Sequence, residues 1–150
     1  MKLLILRHAI AEEAPLEADF GRRLTPEGRG KLRRVLRAHL QRFAPPSLVY
    51  TSPLVRARQT AAVAARAWGC PVVVTPALRP GGQAWSWLSQ CGEESLAVVG
   101  HEPDLSLLAA AHLGLTGRPP LAFKKSGMAY FEGPPGEAQL RWLISPRWLV

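Results

Sequence analysis

KLLILRHA, residues 2–9, contains a short apolar run that lies between Lys2 and Arg7 and is followed by His8. An unbroken apolar run of this length, with no polar alternation, is typical of a strand that is buried on both faces. Similar runs occupy residues 48–51, 72–75 and 96–99. We therefore expect four central strands, each covered on both faces by other parts of the chain.

Helical segments separate these runs. Thr25, Pro26 and Glu27 are the residue types that favour a helix N-cap and first turn, and apolar residues then recur at helical spacing. Further helices are predicted over residues 56–68 and 103–113, and each of these is followed by a glycine. Strand and helix therefore alternate along most of the chain.

The last part of the chain predicts a hairpin instead. Residues 127–131 and 139–144 are strand-like and flank a turn rich in glycine and proline. Together with the alternation that precedes it, this pattern predicts an α/β fold. We expect residues 1–150 to form a three-layer αβα single domain, with a mainly parallel central sheet and an antiparallel edge.

Polar residues follow three of the predicted strands. Arg7 and His8 come after the first, Arg56 follows the second by a short turn, and His101 comes after the fourth. Ligands of parallel sheets bind at the carboxyl ends of the strands, so these side chains are expected around one opening. Arginine binds phosphate oxygens in bidentate fashion, and neutral histidine is a nucleophile. A phosphate site is therefore predicted.

Five motifs occur in order along nearly the whole chain: LRHA at 6–9, RRLTPEG at 22–28, TSPLVRARQT at 51–60, VGHEP at 99–103 and WLISP at 142–146. Together they resemble the histidine phosphatase superfamily, whose fold is called phosphoglycerate mutase-like. The likeness extends to its small SixA-type phosphohistidine phosphatases. This resemblance implies a hydrolase that works through a phosphohistidine intermediate.

The resemblance also implies a role for individual residues. His8 would accept the phosphoryl group, Arg7 and Arg56 would clamp it, and His101 would be the second catalytic histidine. A protonated His101 would donate hydrogen bonds to the phosphate oxygens. Arg22 occupies a matching position and would also face the phosphate, although a solvated arginine is an equal alternative there. No metal or other cofactor is implied.

The chain departs from the larger family members, which carry a glutamate as proton donor. The corresponding region here is LRPGGQ at 78–83. Glu102 and Asp104 are possible substitutes, but a role in the first turn of the third helix is the stronger expectation. An alkoxide leaving group needs a positioned acid, whereas a protonated imidazole leaves readily. The sequence thus favours a phosphohistidine protein, as in a phosphorelay, as the substrate and inorganic phosphate as the product.

Other functions remain open. The same site could serve a general small-molecule phosphomonoesterase or a noncatalytic module that binds phosphorylated proteins. The net charge of +8 also suggests a nucleic-acid-binding module. Known nucleic-acid motifs are missing from the sequence, so no nucleic-acid partner is expected. Ser52 is a competing nucleophile. Lys124 and Lys125 are interpreted as surface charges, and His39 and His112 as structural residues.

Composition limits where the protein acts. Two cysteines, Cys70 and Cys91, are too few for a disulfide scaffold, which favours reduced thiols. The apolar run before Arg7 is shorter than that of a signal peptide, and no run reaches the length of a membrane span. We therefore expect a cytoplasmic protein without a membrane partner.

His112 lies near a predicted helix C-terminus, where a positive charge is favoured.

Overall fold

The computed structural model describes residues 1–148. Within them, one sheet contains β1 (Lys2–Arg7), β2 (Val49–Thr51), β3 (Val72–Val74), β4 (Ser95–Gly100), β5 (Met128–Glu132) and β6 (Gln139–Ile144). The α-helices are α1 (Pro26–Leu40), α2 (Val55–Trp68), α3 (Ala84–Ser89) and α4 (Asp104–His112). Short 3₁₀ turns occupy Leu16–Gly21, Pro76–Leu78 and Pro146–Trp148.

The sheet has the strand order β3-β2-β4-β1-β5-β6. The first four strands in this order are parallel, whereas β5 runs antiparallel to β1 and β6 antiparallel to β5. The predicted α/β fold, with a mainly parallel sheet and an antiparallel edge, is confirmed.

The unbroken apolar run of β1 reflects its position between two helical layers. Leu4 and Leu6 belong to a core shared with α1 and α2, whereas Leu3 and Ile5 belong to a second core shared with α3 and α4. All four are buried. Because successive side chains of a strand point to opposite faces, the same short run supplies both cores. The three layers are therefore helices, sheet and helices.

The helix boundaries follow from their capping residues. The Thr25 hydroxyl accepts a hydrogen bond from the Gly28 amide at 2.9 Å, which satisfies one of the free amides at the start of α1. Gly69 ends α2 with a φ of 69°, in the left-handed region that glycine adopts most easily. These ends agree with the predicted caps.

The prediction that residues 72–75 form a central, covered strand is wrong. Strand β3 lies at the edge of the sheet, with β2 as its neighbour. Its three valines, Val72, Val73 and Val74, are 39%, 42% and 48% exposed. Valine favours the extended backbone because of its branched side chain, and that preference does not require burial.

His39 and His112 are packed in the interior, as expected. The His39 ring accepts a hydrogen bond from the Trp68 indole at 3.2 Å. His112 is fully buried on α4 against Phe131. The expectation of a favoured positive charge at His112 is wrong, because burial lowers its pKa to about 4 and thus outweighs the attraction of the helix end.

Within residues 1–148, no helix has the length and apolar character needed to cross a membrane.

Candidate active site

The carboxyl ends of β1 and β4 bring the two motif histidines together. These strands are parallel neighbours, and the His8 amide continues the ladder by donating to the Gly100 carbonyl at 3.1 Å. The rings of His8 and His101 lie with centroids 5.2 Å apart and planes at 51°. Both residues are buried. One phosphate-sized group can therefore contact both imidazoles.

The His8 ring is held in a defined protonation state. Its Nδ1 lies 2.8 Å from the Ala9 carbonyl oxygen, which can only accept, so the ring proton resides on Nδ1. Burial, reinforced by the charges of Arg56 and Arg7, lowers the pKa of His8 to about 4. At neutral pH the ring is uncharged and Nε2 carries a free lone pair.

His101 is also uncharged in the structure. Burial, with smaller contributions from His8 and Arg56, lowers its pKa to about 3. Its Nε2 lies 2.8 Å from Ser52 Oγ. That hydroxyl oxygen also accepts from the Leu54 amide at 3.2 Å, so its own proton can be donated to His101. The protonated His101 considered above is therefore not the state of the free site.

Arg7 is the last residue of β1, and Arg56 lies in the first turn of α2. Arg7 Nη1 donates to the Phe123 carbonyl at 2.8 Å, and Arg56 Nη1 donates to the Asp19 carbonyl at 2.9 Å. In the described part of the chain, Nε of each arginine is buried without a hydrogen-bond partner. Buried donors of this kind are costly unless an anion or another acceptor meets them.

Asp19, which belongs to none of the sequence motifs, links Arg56 to Arg22. Its Oδ2 lies 3.3 Å from Nη2 of Arg56, and its Oδ1 lies 3.1 Å from Nη1 of Arg22. Burial acts to raise the pKa of Asp19, but the hydrogen bonds and charges of Arg22 and Arg56 outweigh it and the net shift is downward. No local pattern marks Asp19, since it lies 37 residues from Arg56.

Arg22 is more than a solvated arginine. Its side chain is 20% exposed, and its Nε donates to the Glu12 carbonyl at 2.5 Å. Through Asp19 it therefore joins the group around Arg56.

The two acidic residues after His101 are engaged elsewhere. The Glu102 carboxylate accepts from the Ser106 amide at 2.8 Å, from the Ser106 hydroxyl and from the Phe123 amide at 2.9 Å. Asp104 Oδ2 accepts from the Gly81 amide at 2.8 Å. Glu102 thereby fixes the start of α4 and the segment whose carbonyl receives Arg7.

Ser126 supports the end of β1 from the opposite side. It is buried, with a φ of 61°, and its amide donates to the carbonyls of Arg7 at 3.1 Å and His8 at 3.3 Å. A serine in the left-handed region is uncommon. The sequence pattern gave no signal for this contact, which depends on the chain returning before β5.

The family model of the histidine phosphatase superfamily, branch 1, matches residues 3–81. The chain belongs to this superfamily. An uncharacterised protein from a Picosynechococcus strain is 34% identical, with 100% of this chain and 99% of the relative covered. The superfamily motifs at 6–9 and 51–60 both fall within the matched residues.

Two solved structures of the superfamily extend the likeness over the whole fold. The protein histidine phosphatase SixA complexed with tungstate has a TM-score of 0.88 and 26% identity, with 100% of both chains covered. A structure described as a phosphohistidine phosphatase SixA from Agrobacterium tumefaciens has a TM-score of 0.80 and 28% identity, with 97% of both chains covered. The chain is thus similar in architecture and length to both proteins.

Proposed function

We propose that this protein is a metal-independent phosphohistidine phosphatase that removes phosphate from a histidine-phosphorylated protein through a phosphohistidine on His8. The observation that carries the proposal is the hydrogen bond from His8 Nδ1 to the Ala9 carbonyl at 2.8 Å. It leaves Nε2 unprotonated beside the arginines, which is the state that a nucleophile needs.

The reaction divides into two displacements. The Nε2 lone pair of His8 attacks phosphorus, the bond from phosphorus to the substrate nitrogen breaks, and the protonated substrate imidazole leaves with the electron pair. Water then attacks phosphorus, the bond to Nε2 breaks, and inorganic phosphate leaves as the water proton passes to solvent or phosphate. His8 returns to its starting state.

The arginines would hold the phosphoryl group during both steps. Within residues 1–148 the Nε atoms of Arg7 and Arg56 are buried without a hydrogen-bond partner, and the charges of both arginines act on His8. Guanidinium groups stay charged at physiological pH. The Asp19 carboxylate contacts Arg56 and Arg22 and offsets part of their charge in the free site. Fixed positive charge of this kind stabilises the transferring phosphoryl without further rearrangement.

His101 would assist by hydrogen bonding. In the free site it is neutral and paired with Ser52. An arriving phosphate brings negative charge next to the ring and opposes the burial that lowers its pKa. His101 can then take up a proton and donate to a phosphate oxygen, which is the role expected of the second catalytic histidine.

The engagement of the nearby carboxylates favours a nitrogen-linked phosphate. Glu102 is occupied by Ser106 and Phe123, and the pKa of Asp19 is held below its ordinary value. With these partners neither carboxylate is available as the acid that an alkoxide leaving group needs. A protonated imidazole leaves without such an acid. This distinction favours a phosphohistidine substrate over a phosphate ester.

The likeness to SixA supports the same substrate class. The structure at 26% identity is a protein histidine phosphatase and holds tungstate, a tetrahedral oxyanion of the same shape as phosphate. Metal independence is supported by the donor set, because residues 1–148 contain no group of three His, Cys, Asp or Glu side chains placed to hold a metal ion.

Turnover of a phosphohistidine protein, a phosphohistidine peptide and several phosphate monoesters, each with and without excess chelator, tests the proposal. We expect the two phosphohistidine substrates to be hydrolysed much faster than the monoesters, with no effect of the chelator. Faster turnover of the monoesters would contradict the substrate class. Loss of activity on chelation, restored by a divalent ion, would contradict metal independence.

A further inference from the structure

A group of cations surrounds a cavity that opens beside Arg7. The cavity has a volume of about 600 Å³, and five of its eight lining residues are positively charged: Arg7, Lys31, Lys124, Lys125 and Arg147. The other three are uncharged. We call this cavity the lysine pocket. Its composition differs from that of a surface on which charges of both signs alternate.

The charges of the lysine pocket come from separate parts of the chain. Lys31 lies on α1, Lys124 and Lys125 precede β5, and Arg147 follows β6. The ion pairs found in residues 1–148 join Asp19 to Arg22 and to Arg56, and none includes a member of the pocket. Because like charges that are held together repel, an anion within the pocket would lower the electrostatic free energy.

The pocket is continuous with the candidate active site. Arg7 belongs to both, and its guanidinium donates to the carbonyl of Phe123, the residue before Lys124. Burial is the main cause of the low pKa of His8, and the charge of Lys125 adds to it. A molecule that holds its phosphoryl group on His8 can therefore extend directly into the pocket.

We propose that the lysine pocket binds a second anionic group of the substrate. This inference rests on the proposed function, since it concerns a substrate whose phosphoryl group is already at His8. Two sources have the required chemistry: carboxylates that flank the phosphohistidine in an acidic protein segment, and a second phosphate on a small molecule. Lys31, Lys124, Lys125 and Arg147 would then determine specificity without taking part in bond breaking.

The first experiment compares two phosphohistidine peptides that differ only in having glutamate or glutamine beside the histidine. The test variant is Lys31→Gln with Lys124→Gln. The matched control is Arg33→Gln with Arg37→Gln, which removes the same charge from the exposed face of α1, outside the lysine pocket. We expect the test variant to lose about 10-fold in kcat/KM on the glutamate peptide. The loss should arise through KM, and turnover of the glutamine peptide should be unchanged.

Binding measurements separate this inference from the proposed function. Calorimetric titration with inorganic phosphate and with tripolyphosphate requires no turnover. We expect the wild-type protein to bind tripolyphosphate more tightly than inorganic phosphate, and the test variant to lose this difference in affinity. If this result is obtained while no phosphohistidine substrate is hydrolysed, the pocket stands and the proposed function fails.

The two sources give different patterns. If the test variant binds tripolyphosphate more weakly than wild type but loses no more activity on the glutamate peptide than on the glutamine peptide, the pocket binds a second phosphate. If the test variant loses kcat/KM on the glutamate peptide alone, the pocket binds an acidic protein segment. The proposal would be overturned if the test and control variants had equal effects on both peptides and if the test variant bound tripolyphosphate as tightly as wild type does.

Discussion

The carboxylate of Asp19 lies against the guanidinium of Arg56, with Oδ2 3.3 Å from Nη2. The arginine proposed to bind phosphate thus already has an anionic neighbour, which competes with phosphate for the same positive charge. Asn at this position would retain a hydrogen-bonding side chain but remove the competing charge.

We predict that Asp19→Asn binds inorganic phosphate more tightly, with an inhibition constant about 5-fold lower, as expected for a partly exposed ion pair. Competitive inhibition by phosphate measures this directly. Asp104→Asn is the matched control, because Asp104 contacts the Gly81 amide instead of an arginine. Weaker inhibition in Asp19→Asn would show that the carboxylate supports phosphate binding instead of opposing it.

Two glycines of α1 predict opposite effects of the same substitution. A Cβ at Gly28 would lie 2.3 Å from the carbonyl oxygen of Ile10, two residues after His8. Backbone must therefore move, and Gly28→Ala should cost about 1 to 3 kcal/mol in unfolding free energy and lower kcat. The matched control is Gly30→Ala. Its Cβ would meet only the Arg34 side chain at 3.6 Å, and alanine should add up to about 1 kcal/mol of stability.

Urea unfolding and steady-state turnover on both variants provide the measurement. A Gly28→Ala protein that is as stable and as active as wild type would show that the contact between α1 and Ile10 does not position the end of β1.

Stability should fall with acid because of the buried neutral histidines. His112 has a pKa of about 4 in the folded protein, below the ordinary value of 6.5. Below pH 6.5 the unfolded chain therefore binds the additional proton, and stability is lost as the pH falls from about 6.5 towards 4. Between pH 7 and pH 5 this one residue contributes a loss of about 2 kcal/mol.

We predict that His112→Leu removes this part of the pH dependence. Within residues 1–148 neither ring nitrogen of His112 has a hydrogen-bond partner, so leucine leaves no bonded group behind. The difference in unfolding free energy between pH 7 and pH 5, measured for both proteins, should be about 2 kcal/mol smaller in the variant. An unchanged difference would mean that the His112 pKa is not lowered by burial.

Much of the fold could be predicted because strand patterns and catalytic motifs are adjacent in the chain. Arg7 and His8 follow β1 directly, and His101 follows β4. The parallel pairing of these strands then suffices to bring the two histidines together. Local capping signals at Thr25 and Gly69 likewise determined the helix ends.

Other features depend on contacts that no local pattern encodes. Asp19 reaches Arg56 only because a 3₁₀ turn, Leu16–Gly21, returns over the start of α2. Ser126 contacts the end of β1 although it is distant in sequence, because it lies just before β5, which pairs with β1. The edge position of β3 is set by the strand order, and a run of valines is compatible with both an edge and a centre.

The site of covalent phosphorylation tests the central claim most directly. The structure places a possible base next to the competing nucleophile, since His101 Nε2 lies 2.8 Å from Ser52 Oγ. However, Ser52 is fully buried, and its oxygen accepts from the Leu54 amide. His8 has a free Nε2 and needs no base.

Mass spectrometry of the enzyme quenched during turnover, under alkaline conditions that preserve phosphohistidine, locates the label. The protein should carry acid-labile phosphate on His8; His8→Ala should carry none, and Ser52→Ala should still be labelled on His8. Phosphate on Ser52, or a label that persists in His8→Ala, would contradict the account.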